Sequence, residues 1–208
     1  MIGIYVTVPV ACFRKGLARE FLETEALPPP ATCYGFLLSL VGETDRRRHI
    51  GACVSPALLG SEGPSVVLRT VWRVKKQPLG SLGNTRPDYQ QLLTHVRLVI
   101  WLDSAAETAP PSLEDRVRTA LASPSTVTRF GGLSLGESTH LVDEVRLVRD
   151  GDNAEARTFL RRPQGRITLP VWVDHVGSAD TRYETGDLVT GLLAPPTAAE
   201  MPTIQPLS

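Results

Sequence analysis

The sequence predicts an α+β fold in which strands and two helices follow one another in the order βαββαβ, with further strands toward the C-terminal end. Two kinds of pattern predict it. Segments rich in valine, isoleucine and aromatic residues have the composition of strands, and two segments place apolar residues three or four apart, as helices do. With 208 residues, 42% of them hydrophobic and 21% charged, the chain is long enough to bury a core.

The predicted domain opens with a strand and a helix. Residues 2–8, IGIYVTV, are rich in β-branched and aromatic side chains and read as a strand. Apolar residues three and four apart predict a helix over 32–41, which Gly42 would end. Residues 43–64 are then predicted to form a loop that contains one short helix near 52–59.

A long β-hairpin is predicted for the middle of the chain. The runs SVVLRTVWRVKK, at 65–76, and HVRLVIWLDS, at 95–104, both have a strongly β composition. The segment between them includes QPLGSLGNTRPDYQQ, which combines glycine, proline and asparagine. We therefore expect two paired strands joined by a long, protruding loop.

The second half of the chain adds a helix and several strands. A helix is predicted over 111–123, where Ser112 can cap an acidic first turn. A strand is predicted over 140–151, and two or three more within 157–193. The order up to about residue 150 is the split βαβ arrangement of ferredoxin-like and RRM-like domains. Because sensors, enzymes and RNA-binding proteins all use this arrangement, it does not by itself indicate a function.

In this interpretation the chain divides into three parts. Residues 1–150 form an RRM-like domain whose hairpin spans about 65–104. Residues 151–195 form a C-terminal β extension of the same unit, and residues 196–208 form a flexible, Pro-rich tail.

The charge is zero in total but unevenly distributed. From Arg46 to Arg97 the chain has nine Lys or Arg residues against two acids, a local balance of +7. The other residues then hold 13 basic and 20 acidic side chains, a balance of −7. Such asymmetry is typical of a protein with one face for a polyanion, although ordinary surface scatter is an equally good explanation of the charge alone.

The cysteines and the hydropathy indicate a cytoplasmic protein. Cys12, Cys33 and Cys53 are odd in number and contain no CxxC pair, so neither a disulfide framework nor a zinc site is expected. No apolar run approaches the roughly 18 residues that span a bilayer, and the N-terminus lacks the features of a secretion signal. We expect no membrane association, no metal and no cofactor.

One segment carries a more specific signal than the composition. The run ACFRKGLAREFLETEALPPPATCYGFLLSLVGE, at 11–43, contains a Phe-Arg pair, an Arg-Glu-Phe triplet, PPPAT and YGFLLSLVG. It resembles the N-terminal signature of the Cas5 family, in particular of its Myxococcus-type, subtype I-B-like branch. The resemblance extends through the hairpin to RFGGLSLGESTHLVDEV, at 129–145, and covers roughly two thirds of the chain.

The resemblance implies a function and a set of partners. Cas5 proteins are subunits of type I CRISPR surveillance complexes, called Cascade, in which they hold the 5′ handle of the guide RNA (crRNA). The resemblance therefore implies an RRM-like domain whose hairpin acts as a thumb against the RNA. The implied partners are crRNA, the backbone-forming seven-type subunits, whose filament the chain would cap, the large subunit and, through the complex, target DNA.

Three prolines before the first predicted helix suggest an anion site. Pro28–Pro30 would deliver the chain rigidly to a helix start, where unpaired N–H groups and a partial positive charge suit a phosphate. Thr32 would cap the helix or bond the phosphate, Tyr34 would stack on a base, and Gly35 would allow close approach. Alternatively, the prolines only wrap the domain edge and Tyr34 packs inside.

Alternation along the first hairpin strand predicts a cationic face. Alternate residues of a strand share a face, and those of 65–76 place several basic side chains together, which a basic residue of the partner strand can join. The residues that form this ladder or lie beside it are Arg69, Arg73, Lys75, Lys76, Arg86 and Arg97. Such a ladder suits an RNA backbone, although strand arginines are as often simply solvated.

Three further segments supply candidate RNA contacts. RFGGLSLGESTH resembles the glycine-rich loop of repeat-associated RNA binders, in which glycine lets the backbone approach RNA; the alternative is a plain connecting loop. RRRH, at 46–49, is either a phosphate patch or a solvated bend, and the segment 11–43 contributes two arginines. The candidates from these segments are Arg14, Arg19, Arg46, Arg47, Arg48, Arg129, Ser134 and His140.

Three functions are compatible with these residues. The first is a non-catalytic structural subunit that binds the crRNA 5′ handle. The second is an endoribonuclease that processes precursor crRNA, which would need a general base such as His or Tyr beside a cation; none of the four histidines adjoins a lysine or tyrosine in such a pattern, and no catalytic residue is assigned. The third is a ferredoxin-like scaffold or sensor without nucleic acid.

Overall fold

The computed structural model describes residues 1–16, 20–72, 78, 80–81, 84–175 and 179–207. Its architecture combines few helices with a mostly antiparallel sheet. The strands are β1 Ile2–Ala11, β2 Phe21–Leu22, β3 Cys53–Gly60, β4 Ser65–Trp72, β5 Thr85–Asp103, β6 Glu144–Leu147, β7 Glu155–Arg161, β8 Ile167–Trp172 and β9 Arg182–Leu192. The α-helices of the described residues are α1 Pro30–Leu40 and α2 Leu113–Ala122.

The sheet runs in the order β6-β1-β5-β3-β7-β9-β8, and neighbours in this path are antiparallel. β1 lies against β5 with Ile4 opposite Ile100. Because side chains alternate along a strand, Ile4 and Val6 point to the same face of β1, and both are fully buried. They belong to the main core, together with Leu37 of α1 and Val117 of α2.

The C-terminal segment packs on the sheet instead of remaining free. Met201 and Ile204 are fully buried. The Val54 amide donates to the Pro202 carbonyl at 2.9 Å, and the Ile204 amide donates to the Ala52 carbonyl at 2.8 Å. The prediction of a flexible tail over 196–208 is therefore wrong for this segment. β7 pairs with β3 only at Ala57 and Leu58, so the start of β3 is free to bind residues 202–204.

The predicted hairpin is present, but its second strand starts earlier than expected. β4 pairs with the first part of β5, from Ser65 opposite Leu92 to Trp72 opposite Thr85. We call β4 and residues 85–92 of β5 the thumb. β2 pairs with the other side of the thumb in parallel. The sequence prediction placed these β5 residues in a loop because Pro87 and its acidic neighbour are rare in strands.

Two more elements differ from their predictions. Residues 53–60, expected to hold a short helix in a loop, form β3, whose first six residues are all buried; a short apolar run without alternation does not distinguish strand from helix. α1 begins at Pro30 instead of 32, since proline is favoured in the first turn of a helix. The helix near 111–123 is confirmed, and Ser112 caps it by accepting from the Asp115 amide.

Among the helices described here, none has the length and apolar character needed to cross a membrane.

Candidate nucleic-acid interface

The start of α1 offers fewer free amides to a phosphate than the sequence predicts. Pro28–Pro30 are buried and have no N–H groups, and the amides of Thr32 and Cys33 donate to the Pro29 carbonyl at 2.9 and 3.0 Å. No side chain caps this end, because Thr32 lies inside the first helical turn. The predicted Thr32 cap is therefore wrong, and the amides of Thr32 and Cys33 are not free to bind a phosphate.

Tyr34 cannot stack on a base. Its side chain is 4% exposed, and its hydroxyl donates to the Arg46 carbonyl at 2.8 Å. Burial raises the pKa of Tyr34 above its ordinary value. The predicted stacking role is thus wrong and the alternative, that Tyr34 packs inside, is confirmed. The tyrosine instead ties α1 to the loop that carries Arg46.

The outer side of α1 is open. A cleft of about 390 Å³ lies along it, and its lining combines this helix face with the glycine-rich loop and the end of β8. The predicted RNA contacts that line it are Thr32, Tyr34, Gly35, Arg46 and Ser134. A Cβ atom built on Gly35 would meet no atom within 4 Å. We call the exposed side of α1 around Thr32, Gly35 and Ser39, together with Arg46, the α1 face.

Arg46 is positioned by neutral groups. Its guanidinium carbon lies 4.0 Å from the centroid of the Trp172 ring, and its Nη2 donates to the Val173 carbonyl at 2.6 Å. A cation over an indole is favourable and keeps its charge. The neighbouring arginines differ: Arg47 lies 5.8 Å from the same ring centroid, and Arg48 pairs with Glu43 at 3.2 Å.

A buried polar network fixes the loop that carries Arg46. His49 and Glu107 are both buried, and the His49 Nδ1 lies 2.8 Å from the Glu107 carboxylate. Arg116 hydrogen-bonds both the His49 Nε2, at 3.0 Å, and the Glu43 carboxylate. Burial tends to raise the pKa of Glu43, but the hydrogen bonds from Arg116 and the Asp45 amide, together with the charges of Arg116 and Arg48, lower it to about 2.

A second groove, of about 750 Å³, lies on the other side of the α1 face. It shares Gly35, Ser39 and Arg46 with the first cleft and adds residues 128–130. Arg129 lines this groove and donates from Nη2 to the Leu40 carbonyl at the end of α1, at 3.2 Å. The structure therefore brings Arg129 beside the α1 face, as a residue that also holds the helix end.

His140 is a structural residue. It is 8% exposed, and its Nδ1 accepts from the amides of Cys12 and Glu137, both at 3.2 Å. The ring is therefore neutral with its proton on Nε2, and burial lowers the pKa of His140 below its ordinary value. The ring fastens the glycine-rich loop to the end of β1 through Nδ1, so the RNA contact predicted for His140 would have to use its Nε2–H.

The described thumb arginines face carboxylates. Arg69 lies 3.6 Å from Glu137 of the glycine-rich loop. Arg86 pairs with Glu20 at 2.7 Å and with Asp88 at 2.8 Å. These acids lie far from the arginines in sequence or within the segment that was predicted as a loop. The ladder therefore has less net positive charge than the sequence predicts.

The remaining candidates lie elsewhere or outside the described residues. Arg97 is opposite Thr7 and Gly60 on the central strands, beyond the end of the β4 pairing, so the expectation that it joins the hairpin face is wrong. Arg14 forms a backbone bridge with Thr24 and is exposed. The candidates outside the described residues are Arg19, Arg73, Lys75 and Lys76.

The sequence is 55% identical over 199 residues to the CRISPR-associated protein Cas5 of Myxococcus xanthus strain DK1622, covering 94% of this chain and 93% of that protein. The chain belongs to the Cas5 family. Its fold is similar to a chain of a solved CRISPR RNA-guided surveillance complex, with a TM-score of 0.63, 12% identity and coverage of 92% and 90% of the two chains. A solved Cas protein matches with a TM-score of 0.54, 12% identity and coverage of 93% and 95%. No protein-family model matches.

Two features of this Cas5 family member were missed by the sequence reasoning. Phe130, beside the second groove, is fully exposed; an aromatic residue followed by two glycines was the available signal. Together with Phe21 of the adjacent β2, the thumb also forms an apolar face opposite its arginines, where Val66, Leu68, Phe21 and Tyr89 are all exposed. The two aromatic ring centroids of this face lie 6.5 Å apart. Within the described chain, no cluster of three or more His, Cys, Asp or Glu side chains could hold a metal ion.

Proposed function

We propose that this Cas5 family member is a structural subunit of a Cascade-type CRISPR complex and holds the 5′ handle of crRNA across the α1 face and the thumb. The observation that carries the proposal is the convergence of Gly35, Arg46, Arg129 and Ser134, from four separate segments, around one open helix face. Single-stranded RNA is bound by cationic grooves that track its backbone. Glycine and hydroxyl groups beside the arginines let that backbone come close.

The other surfaces suit protein partners. The apolar thumb face carries four exposed large side chains and resembles a surface that another protein covers. We assign this face to the seven-type backbone subunit, whose filament the chain would cap, while the large subunit and, indirectly, target DNA complete the complex. We interpret the strands β1, β3, β5 and β6 with α1 and α2 as the RRM-like unit and expect the complex in the cytoplasm.

We propose that the chain does not cleave RNA. The endoribonuclease alternative would draw on Tyr34 or a histidine as general base. The Tyr34 hydroxyl is buried and engaged with a backbone carbonyl, and His140 is held by two amides. A repeat-derived RNA incubated with the protein is therefore expected to remain intact in a denaturing gel.

The test of RNA binding uses Gly35→Glu. A side chain at Gly35 meets open space, so the variant should fold, yet it places bulk and negative charge between the two clefts. We expect the affinity for single-stranded RNA of the CRISPR repeat, measured by fluorescence anisotropy, to fall roughly tenfold or more, since a charge-assisted contact is worth about 1.5–3 kcal/mol.

The matched control is Gly191→Glu. Gly191 lies in β9, is exposed and also has open space for a Cβ, so the same change of charge is made far from the α1 face. It should bind RNA as the parent does. Equal affinities for both variants would rule out the α1 face as the RNA surface, and absence of binding by the parent chain, alone and in the assembled complex, would rule out the proposed function itself.

A further inference from the structure

The most exposed large hydrophobic side chain described in the structure is Phe130. It stands clear of the protein surface, fully exposed, although an aromatic ring is normally at least partly buried. It follows Arg129, the first residue of the predicted glycine-rich segment, and precedes Gly131 and Gly132. Neither the resemblance nor any predicted site assigned it a role.

The backbone on the N-terminal side of Phe130 is anchored. Arg129 donates to the Leu40 carbonyl at 3.2 Å, and Gly42 packs so closely on the Thr128 carbonyl that a Cβ there would collide with it. On the other side Gly131 has a φ of +76°, which favours glycine and turns the chain sharply. The ring is thus presented from a held position at the edge of the second groove.

The groove beside the ring favours a polyanion. Its lining includes Arg46 and Arg129 and one acid, Glu43, whose carboxylate is already bound by Arg48 and Arg116. The Nε–H of Arg129 is buried and has no hydrogen-bond acceptor among the described residues. A free aromatic face beside unneutralised arginines matches the way single-stranded nucleic acids are held, with bases on rings and phosphates on cations.

We propose that Phe130 is a stacking platform for one unpaired base of the bound RNA, whose phosphate lies in the groove between Phe130 and Arg46. This inference rests on the proposed function. It moves the stacking role that the sequence suggested for Tyr34 to an aromatic side chain that solvent can reach. An exposed ring of this kind can also anchor a partner protein, which the experiment separates from base stacking.

The experiment uses the full chain and single-stranded RNA of the CRISPR repeat, with 2-aminopurine placed at one position at a time. Stacking on an aromatic ring quenches this fluorophore. We expect the parent protein to quench one labelled position strongly. Phe130→Ala should abolish that quenching and weaken binding roughly 5- to 100-fold, while Phe130→Trp should retain both. Because the side chain is fully exposed, these variants should fold as the parent does.

Two controls sharpen the result. Phe130→Leu keeps an apolar side chain without a ring and should behave like Phe130→Ala; full binding by the leucine variant would overturn stacking. Leu192→Ala alters another exposed apolar residue, 73% exposed on β9, and should have no effect.

Two outcomes would contradict the inference in different ways. Unchanged RNA affinity in Phe130→Ala, with loss of that variant from the assembled complex, would overturn base stacking in favour of protein docking. Binding by the parent without position-specific quenching would overturn the inference and leave the proposed function intact. If the parent bound no RNA, neither as the free chain nor in the assembled complex, the proposed function itself would be overturned.

Discussion

The α1 face and the thumb both carry arginines, but they hold them against different partners. Arg46 rests on an indole ring and donates to a carbonyl, so its partners are neutral. Arg69 and Arg86 face carboxylates in the thumb. The opposite side of α1 is also packed into the main core, whereas residues 65–70 of β4 are all exposed.

This difference separates two ways of contacting a phosphate. An arginine held by neutral groups keeps its positive field and is already oriented when RNA arrives. An arginine paired with a carboxylate must exchange that partner for a phosphate, so its net contribution is smaller and more sensitive to salt. We therefore expect the α1 face to supply most of the affinity and the thumb a smaller, electrostatic part.

The largest expected effect tests whether the two regions differ in their importance for folding. Leu37→Ala removes a fully buried side chain of α1, and Leu68→Ala removes one that is 61% exposed on the thumb. The first should lower the free energy of unfolding by about 2–5 kcal/mol, and the second should change it by less than about 0.5 kcal/mol. Urea denaturation followed by circular dichroism measures both.

These two variants control one another, since the chemical change is identical. Comparable losses of stability in both would mean that the thumb is as much a part of the cooperative core as α1, and the comparison would fail.

The second-largest expected effect is on RNA binding and concerns Arg69 and the Glu137 carboxylate beside it. Arg69→Glu should weaken binding of the repeat RNA roughly tenfold and reduce the salt dependence of log K by about 0.7, the value for one phosphate on a single strand. Glu137→Gln should act in the opposite direction and raise the affinity by up to about fivefold, because an exposed ion pair is worth about 0.2–1 kcal/mol. Anisotropy titrations at several salt concentrations measure both quantities.

Glu144→Gln is the control for Glu137→Gln. It removes the same charge on β6, where Arg146 stays bound to Asp152 at 2.6 Å, so it releases no cation near the thumb. If neither Arg69→Glu nor Glu137→Gln changed the affinity or its salt dependence, the thumb arginines would not contact RNA.

Local sequence patterns were informative wherever one face of an element meets the core. The β-rich run in β1 and the Ser112 cap of α2 could be predicted because each depends on neighbours in sequence. β3 could not, because a strand buried on both faces loses its alternation. The burial of Tyr34 depends on the tertiary structure that covers its ring, and no local pattern encodes that, whereas two following glycines were the local signal for the exposure of Phe130.

In the candidate site, too, some features follow from local sequence and others depend on tertiary contacts. The glycine-rich loop and the arginines around 46 could be predicted as residue types suited to RNA. That Arg69 meets Glu137 could not, since the pair joins segments that only the folded sheet brings together. The sequence therefore identifies the basic residues of the thumb but not the carboxylates that pair with them.

The smallest expected effect concerns the loop that links the two regions. His140 fastens this loop to β1, and Glu137 contacts the thumb. Burial lowers the pKa of His140, an effect that the Glu137 charge opposes and the Arg69 charge supports. In the unfolded chain the pKa is near its ordinary value of about 6.5, so below that value the unfolded state binds more protons. Stability from neutral His140 is thus complete above about pH 6.5, falls as the pH drops through it, and levels off below the pKa of the folded state.

His140→Asn isolates this contribution, because the asparagine carbonyl can accept from the same amides but does not titrate. The free energy of unfolding should fall less between about pH 7.5 and pH 5 in this variant than in the parent, while Leu68→Ala, which keeps the histidine, should follow the parent. Carboxylates that titrate in the same range contribute equally to all three proteins and cancel in the comparison. An identical pH dependence in the asparagine variant would mean that the fold does not hold His140 neutral, and the predicted contribution of this residue to the pH dependence would be wrong.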